Sequence, residues 1–290
     1  MMSSDIFQIG DIQIAPVTDG TVHVDAGGPF GLTPRALYRS YLEPDANNLI
    51  PMELGCLLVR SGGKTIVIDT ALGDKLDDKA KKNWALTRDR GGLLDNLARH
   101  GVRPEDVDLV IDTHLHADHC AGNTTFNAEF TGVRPVFPNA EYVVQRREYD
   151  DAMHPNERTR ATYYAINFDP LVQSGQMRLL EGDTEIVPGI HGVITPGHTP
   201  AHMAIRFESQ GQHGLYVADL ASYVAHFERI AWMTAYDVEP LRTLDCKRQW
   251  QQWALDHEAL LIFEHDPKII TGKFHEVNGK RIIEPILRLT

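Results

Sequence analysis

Cysteine is scarce in this sequence. The 290 residues include three cysteines, Cys56, Cys120 and Cys246, which are widely spaced and odd in number. This usage argues against a disulfide framework and fits a reducing compartment. The sequence has no Cys-x-x-Cys pair, so it offers no structural zinc site built on such a pair.

The sequence as given shows no pattern typical of a targeting segment and no long apolar run. Residues 1–8 have neither a cationic start nor an apolar core long enough for a signal peptide. Every uninterrupted apolar stretch elsewhere is far shorter than a membrane span. We therefore predict a cytoplasmic protein without a membrane partner.

Basic side chains are fewer than acidic ones. The chain has 28 lysines and arginines against 40 aspartates and glutamates, a formal net charge of -12. Such a charge repels nucleic-acid backbones and anionic membrane surfaces on average. We expect no nucleic-acid partner, and we expect a neutral or cationic small molecule as substrate. With 42% hydrophobic residues, the chain can still bury a sizeable core.

Short β-branched segments alternate with helical ones along the chain. The predicted strands are residues 11–17, 55–60, 65–69, 108–113, 142–145, 193–195, 204–207 and 215–219. The predicted helices are residues 92–100, 146–153, 156–166 and 240–257. This order favours an α/β layered fold with sheets inside and helices outside. No linker-like stretch divides the chain, so we predict one domain over residues 1–290, made of two unequal halves.

Residues 19–51 have a different composition. They are rich in Gly, Pro and Asn, and they carry the scattered side chains Phe30, Leu32, Tyr38 and Tyr41. A long stretch without clear periodicity is often a functional flap. The alternatives are a surface loop whose aromatic side chains pack onto the body of the protein, and a contact segment of a homodimer.

Three imidazoles and one carboxylate follow the apolar run at residues 107–111. They are His114, His116, Asp118 and His119, all within six residues. If the extended geometry persists past the strand, His114 and His116 point to the same side, and the chain must then turn to present the other two. Imidazole and carboxylate together suit zinc and its first-row neighbours, so the cluster predicts a transition-metal site.

Three later positions repeat one pattern, an apolar strand followed by a side chain that can bind metal. His198 lies in the turn Pro-Gly-His-Thr-Pro, Asp219 ends a predicted strand, and His265 follows the apolar run at residues 259–263. Each has an ordinary alternative when taken alone, a loop histidine or, for Asp219, a helix cap.

The motifs His-x-His-x-Asp-His, Pro-Gly-His-Thr-Pro, Ala-Asp and Glu-His-Asp, in this order, resemble the metallo-β-lactamase superfamily. The resemblance covers nearly the whole chain. It implies a four-layer αβ/βα sandwich (the metallo-β-lactamase fold), with two mixed β-sheets flanked by helices. It also implies a dinuclear centre with His114, His116 and His198 on one ion, Asp118, His119 and His265 on the other, and Asp219 bridging both.

Differences between branches of the superfamily narrow the set of branches that this chain resembles. Asp219 stands where true β-lactamases carry cysteine, and His116 stands where oxygen-reducing diiron members carry glutamate. Residues 219–223 and the Phe-Glu-His-Asp segment are similar to the lactonase and methyl-parathion-hydrolase branches, although less specifically. The chain departs from the usual pattern at Cys120 and Ala201. We expect Cys120 to point into the core.

The resemblance leads to a hydrolytic mechanism as a hypothesis. Two divalent transition-metal ions, zinc first, with Mn²⁺, Fe²⁺ or Co²⁺ as alternatives, would share a bridging hydroxide that attacks the substrate. Asp118 would orient that hydroxide and move its proton. Tyr223 is the candidate donor to the developing oxyanion, with packing on the core as the alternative. Asp69 is expected to hydrogen-bond a ligand histidine.

Several functions share this nucleophile. The first candidate is hydrolysis of a lactone or other carboxylic ester, followed by hydrolysis of a phosphotriester or thioester. The short tail at residues 273–290 weakens a glutathione-thioester role. A candidate of another class is a non-catalytic metal-binding protein. The remaining histidines, His202 and His226 among them, are expected to be structural or exposed.

Overall fold

A computed structural model of the chain describes residues 6–289, so residues 1–5 of the N-terminal segment lie outside the described part. The described residues fall into two compact units. The first contains residues 6–20 and 54–184, and the second contains residues 21–53 and 185–289. Among residues 6–289 no helix combines the length and apolarity needed to cross a membrane.

The bounds of the elements are as follows. The strands are β1 (Phe7–Ile9), β2 (Ile12–Asp25), β3 (Leu49–Ser61), β4 (Lys64–Ile68), β5 (Leu109–Ile111), β6 (Thr124–Phe126), β7 (Val133–Pro135), β8 (Glu141–Gln145), β9 (Met177–Leu180), β10 (Thr184–Val187), β11 (Ile190–Ile194), β12 (Met203–Ser209), β13 (Gln212–Tyr216), β14 (Leu260–Ile262), β15 (Ile269–Val277) and β16 (Lys280–Arg288). The α-helices are α1 (Gly27–Phe30), α2 (Arg35–Tyr38), α3 (Asp78–Trp84), α4 (Leu93–Arg99), α5 (Ala117–Cys120), α6 (Arg146–Met153), α7 (Asp169–Gln173), α8 (Val224–Glu228) and α9 (Pro240–Asp256).

A seven-stranded sheet, most of whose residues belong to the first unit, has the order β1-β2-β3-β4-β5-β8-β9. The β1/β2 and β3/β4 pairs are antiparallel, and β4, β5, β8 and β9 run parallel. All three residues of β5 are buried, as expected for a strand covered on both faces. Since Ile68 pairs with Ile111, β4 and β5 end side by side, and the segments after them start at the same sheet edge.

The second unit carries a mixed sheet in the order β10-β11-β12-β13-β14-β15-β16, in which β13 and β14 are parallel. Helix α9 begins at Pro240, a residue suited to the first turn because its missing N–H has no helical partner there. Cys246, Trp250 and Ala254 recur at intervals of four and pack into the apolar core of this unit. Burying a large side chain such as that of Trp250 contributes about 1.5–3 kcal/mol.

Two of the sequence predictions about elements are wrong. Residues 156–166 do not form one helix, since residues 157–162 form turns and Ala165–Asn167 is a 3₁₀ turn. The Asn156 side chain accepts the backbone N–H groups of Arg158 and Thr159 and so competes with helical hydrogen bonds. The strand predicted at residues 215–219 ends at Tyr216, and Asp219 lies in a 3₁₀ turn, Ala218–Leu220.

The segment expected at residues 19–51 is shorter than predicted, because β2 extends to Asp25 and β3 begins at Leu49. Within the second unit its aromatic side chains pack inwards. The Phe30 ring is fully buried, stacks on Tyr38 at 4.4 Å between centroids, and also contacts Tyr223. Phe30 and Tyr38 thus pack within this unit, and the role of residues 19–51 as a flap or a dimer contact stays a prediction.

Candidate metal centre

In the first unit, the segment after β5 brings three histidine rings together. The His114 ring centroid lies 4.5 Å from that of His116 and 3.9 Å from that of His119, and all three rings are buried. His116 keeps an extended backbone, and the chain then turns into α5, which carries Asp118 and His119. The expected extended step followed by a turn is confirmed.

Asp69 supports this histidine cluster from the end of β4. Its carboxylate accepts the backbone N–H of Thr113 at 2.8 Å and lies 3.2 Å from Nδ1 of His119. A hydrogen bond from Nδ1 leaves Nε2 with its lone pair, which is the tautomer a metal ligand needs. Asp69 therefore contacts one of the candidate ligand histidines, as expected, and the role of His119 as a ligand stays a prediction.

The backbone of this loop is held tightly. Thr70 and Ala71 both donate their N–H groups to the His119 carbonyl, at 2.6 and 3.1 Å. Gly122 approaches so closely that a Cβ atom there would lie 2.1 Å from the Thr70 carbonyl oxygen. Space therefore requires a glycine in this turn, and its N–H donates to the Ala71 carbonyl at 2.9 Å, which holds the loop against the segment that follows β4.

Cys120 and Glu148 complete the surroundings of the loop. The fully buried Cys120 thiol donates to the Leu115 carbonyl, and burial raises its pKa, so it stays a thiol. Its predicted inward orientation is confirmed. Glu148, which the sequence pattern did not single out, is fully buried and accepts the Leu115 N–H and the Tyr163 hydroxyl. The Tyr163 ring in turn lies 4.9 Å from that of His116.

In the second unit, one carboxylate lies between two imidazoles. Oδ2 of Asp219 is 3.1 Å from Nε2 of His198, and Oδ1 is 3.5 Å from Nε2 of His265. Ser222 donates its hydroxyl to Oδ1 at 2.5 Å. Both imidazoles present Nε2 to the same carboxylate, an arrangement suited to a carboxylate that bridges two cations.

The Nδ1 atoms of His198 and His265 each have a separate hydrogen-bond partner. Nδ1 of His265 donates to the Glu53 carbonyl at 2.7 Å, and Nδ1 of His198 lies 3.0 Å from Oδ1 of Asp237. Burial tends to raise the pKa of Asp237, but the hydrogen bond and charge of His198, with the Thr234 hydroxyl, lower it overall. Asp237 is a lone aspartate in an irregular segment, so no sequence pattern marked it.

His202 has a more specific position than expected. Its Nδ1 lies 2.7 Å from the Thr195 hydroxyl, and its Nε2 accepts the Asp219 backbone N–H at 3.1 Å. The ring therefore holds the turn at Asp219, where Ala218 adopts a left-handed φ of 44°. A single histidine in a loop carries no sequence signal for this role.

His226 and Tyr223 are both buried. Burial lowers the pKa of His226 to about 3, so its ring is neutral, and it packs edge-on against Phe30. The Tyr223 hydroxyl donates to the Pro51 carbonyl at 3.2 Å, and burial, with the charge of Asp266, raises its pKa. Each ring is part of the aromatic packing of the second unit.

Comparisons with known proteins identify the family and support the fold. The family model described as "Metallo-beta-lactamase superfamily" matches residues 56–271. An N-acyl homoserine lactonase of Bacillus cereus is 25% identical over 243 residues, covering 80% of this chain and 88% of that lactonase. A probable metal-dependent hydrolase from Staphylococcus aureus has a crystal structure with a TM-score of 0.86 and 29% identity, covering 97% of this chain and all of that one.

A third comparison concerns the fold alone. The structure of AidC, described as a dizinc quorum-quenching lactonase in complex with its product, superposes with a TM-score of 0.80 at 20% identity, covering 98% of each chain.

The protein belongs to the metallo-beta-lactamase superfamily. It is accordingly an enzyme, a metal-dependent hydrolase, and its similarity to N-acyl homoserine lactonases extends over most of the chain. The predicted superfamily and its α/β fold with two mixed sheets and helices are confirmed.

Proposed function

We propose that this protein is a dinuclear metal-dependent hydrolase that opens a lactone or cleaves another carboxylic ester. The observation that carries the proposal is the Asp219 carboxylate, which lies between the Nε2 atoms of His198 and His265. The similarity to N-acyl homoserine lactonases supports a lactone as the first substrate class to test.

The proposed ligands follow the order that the superfamily uses along its chain. We assign His114, His116 and His198 to one ion, Asp118, His119 and His265 to the other, and Asp219 to both. The side chains of each unit fit this assignment by their chemistry, since imidazole nitrogens and carboxylate oxygens are ligands of zinc, Mn²⁺, Fe²⁺ and Co²⁺. Zinc is the first choice.

Held by these side chains, two divalent ions would supply a hydroxide nucleophile at neutral pH, because such ions lower the pKa of bound water from about 16 towards about 7. The residues of the chain then have two tasks. Asp118, half-buried in the first turn of α5, orients the nucleophile, accepts its proton and passes it to the leaving oxygen. Asp69 keeps the His119 ring in the tautomer that presents Nε2.

The role of Tyr223 as oxyanion donor stays a prediction. To donate to a substrate, its hydroxyl would have to leave the Pro51 carbonyl, and its ring is fully buried. Removal of an oxyanion donor lowers kcat by about 10²–10³-fold. A loss of that size in Tyr223→Phe would establish the donor role, and a loss of less than about tenfold would favour packing on the core instead.

The test is a substrate panel with zinc-, manganese- and cobalt-loaded protein. An N-acyl homoserine lactone, an unstrained ester, a thioester and a phosphotriester are compared by mass spectrometry of the products. We expect the lactone to give the highest kcat/KM. A preference for the thioester or the phosphotriester would support the alternative substrate classes instead, and turnover of none of the four would contradict the proposal.

Asp118→Asn tests the mechanism with the same panel. We expect turnover to be abolished in a folded protein, because the amide cannot accept the proton. Asp78→Asn is the matched control, since Asp78 is an exposed aspartate in the first turn of α3. Near-normal activity of Asp118→Asn would refute the assigned role.

Some sequence predictions remain to be tested by other means. They are the single domain over residues 1–290, the cytoplasmic location and the homodimer. Light scattering coupled to gel filtration measures the oligomeric state directly. The non-catalytic alternative is set aside, because the chain belongs to a family of hydrolases.

A further inference from the structure

His198 has a carboxylate at each ring nitrogen. Nε2 is 3.1 Å from Asp219, the proposed bridging ligand, and Nδ1 is 3.0 Å from Oδ1 of Asp237. Both aspartates and the ring are nearly fully buried. A buried carboxylate at Nδ1 accepts a hydrogen bond from the ring N–H. This contact keeps the proton on Nδ1 and leaves the lone pair on Nε2, on the other side of the ring.

Asp237 is itself held in place for this contact. Thr234 donates its hydroxyl to the same oxygen, Oδ1, at 2.7 Å. The next two residues bind the histidine turn through the backbone, since Val238 donates to the His198 carbonyl at 3.2 Å and Glu239 donates to the Gly197 carbonyl at 2.9 Å. Residues 234–239 thus fix the turn and the ring of His198 together.

An ordinary alternative for an aspartate just before a helix is a helix cap. The residue at the N-cap of α9 is Glu239, which makes no side-chain capping hydrogen bond, and Asp237 lies two residues before it. The Asp237 carboxylate is directed at an imidazole and a hydroxyl instead. Its geometry is therefore that of a partner for His198.

We propose that Asp237 is a positioning residue for the metal centre. It selects the His198 tautomer that presents Nε2 and holds the ring plane, and Thr234 orients Asp237. This proposal rests on the proposed function, because it takes His198 as a metal ligand.

The experiment measures Zn²⁺ affinity by competition with a chromophoric chelator. Asp237→Ala should weaken the affected site by about 10–100-fold, as loss of such partners does. Asp237→Asn should have a smaller effect, because its carbonyl oxygen can still accept from Nδ1. Thr234→Val should have the smallest. Asp245→Asn is the control, an exposed aspartate of α9 paired with Arg248, and it should bind zinc like the wild type.

Two further measurements separate positioning from folding. In a His198→Ala background, Asp237→Ala should cause no additional loss of affinity, since the two residues act as one unit. The visible absorption of the Co²⁺-substituted protein should change in Asp237→Ala and not in Asp245→Asn.

The outcomes are distinguishable. If the wild type binds none of Zn²⁺, Mn²⁺, Fe²⁺ and Co²⁺, the proposed function fails. If the wild type binds zinc and Asp237→Ala binds it equally well, only the positioning role fails. Loss of thermal stability in the metal-free variant with unchanged zinc affinity would show a purely structural role. An equal loss of affinity in the wild-type and His198→Ala backgrounds would overturn the link to His198.

Discussion

Lys247 offers a quantitative test of the second unit. It lies on α9, is fully buried, and donates to the carbonyls of His226 and Trp232 at 3.2 and 2.5 Å. Burial disfavours the ammonium and lowers its pKa from the usual 10.5 to about 8. Between these two values the folded protein binds fewer protons than the unfolded chain, so the free energy of unfolding rises with pH.

The size of this rise follows from the two pKa values. Proton linkage for one lysine that titrates near 8 when folded and near 10.5 when unfolded gives a gain of about 2 kcal/mol between about pH 7 and about pH 9.5. Measurements stop there because burial raises the pKa of tyrosines such as Tyr142 and Tyr163, which reverses the sign above about pH 10.

Lys247→Met removes the titrating group and keeps an unbranched side chain. Urea unfolding of the metal-free protein, followed by tryptophan fluorescence, gives the free energy of unfolding at each pH. We expect the variant to lose about 2 kcal/mol of the rise. Its absolute stability also changes, because two buried carbonyls lose a donor at about 1–3 kcal/mol each. The comparison therefore uses the pH dependence alone.

Lys75 is the matched control in the first unit. Its ammonium donates to the carbonyls of Ala121 and Thr124, and burial lowers its pKa to about 8 as well. Lys75→Met should remove its own share of the rise and leave that of Lys247 intact. A Lys247→Met protein with the full wild-type pH dependence would refute the argument that its burial depresses the pKa.

Three further predictions concern the loops and the aromatic core. Asp69→Asn should weaken zinc binding by about 10–100-fold in a chelator competition, because Asp69 fixes the tautomer of His119. The control is Asp108→Asn, an exposed aspartate just before β5, and it should bind zinc like the wild type. Equal affinities of the two variants would contradict the role of Asp69. Gly122→Ala should lower the melting temperature and the zinc content, because its Cβ would meet the Thr70 carbonyl; wild-type values would show that the loop can shift. Phe30→Ala should cost about 3–5 kcal/mol in urea unfolding, and a loss below about 1 kcal/mol would mean that the ring is not a packing anchor.

Much of the first unit could be predicted from the sequence, because its signals are local. The run at β5 and the histidines after it are adjacent in the chain, so periodicity and ligand spacing together placed His114 and His119 after a buried strand. The resemblance led us to expect a contact of Asp69 with a ligand histidine. The structure shows it with His119, because β4 and β5 are parallel neighbours that end side by side. Such short-range patterns can be read from the sequence because neighbouring residues determine both the strand and the turn after it.

The parts that sequence reasoning missed depend on contacts between distant residues. Asp237 reaches His198 across 39 positions, and His202 reaches the Asp219 turn by an imidazole that follows no motif. The helix predicted at residues 156–166 failed for a different reason, since the Asn156 side chain competes with helical hydrogen bonds. In each case one side chain decides the local structure, and composition does not reveal which one.

His119, His198 and His265 each have a hydrogen-bond partner at Nδ1, and these partners differ in how easily a mutation can remove them. The partners of His119 and His198 are the side chains of Asp69 and Asp237, which a single substitution can replace. The partner of His265 is the main-chain carbonyl of Glu53, which every residue type provides. Mutation can therefore retune the first two histidines step by step, whereas the orientation of His265 is protected by the backbone and changes only if the strand itself moves.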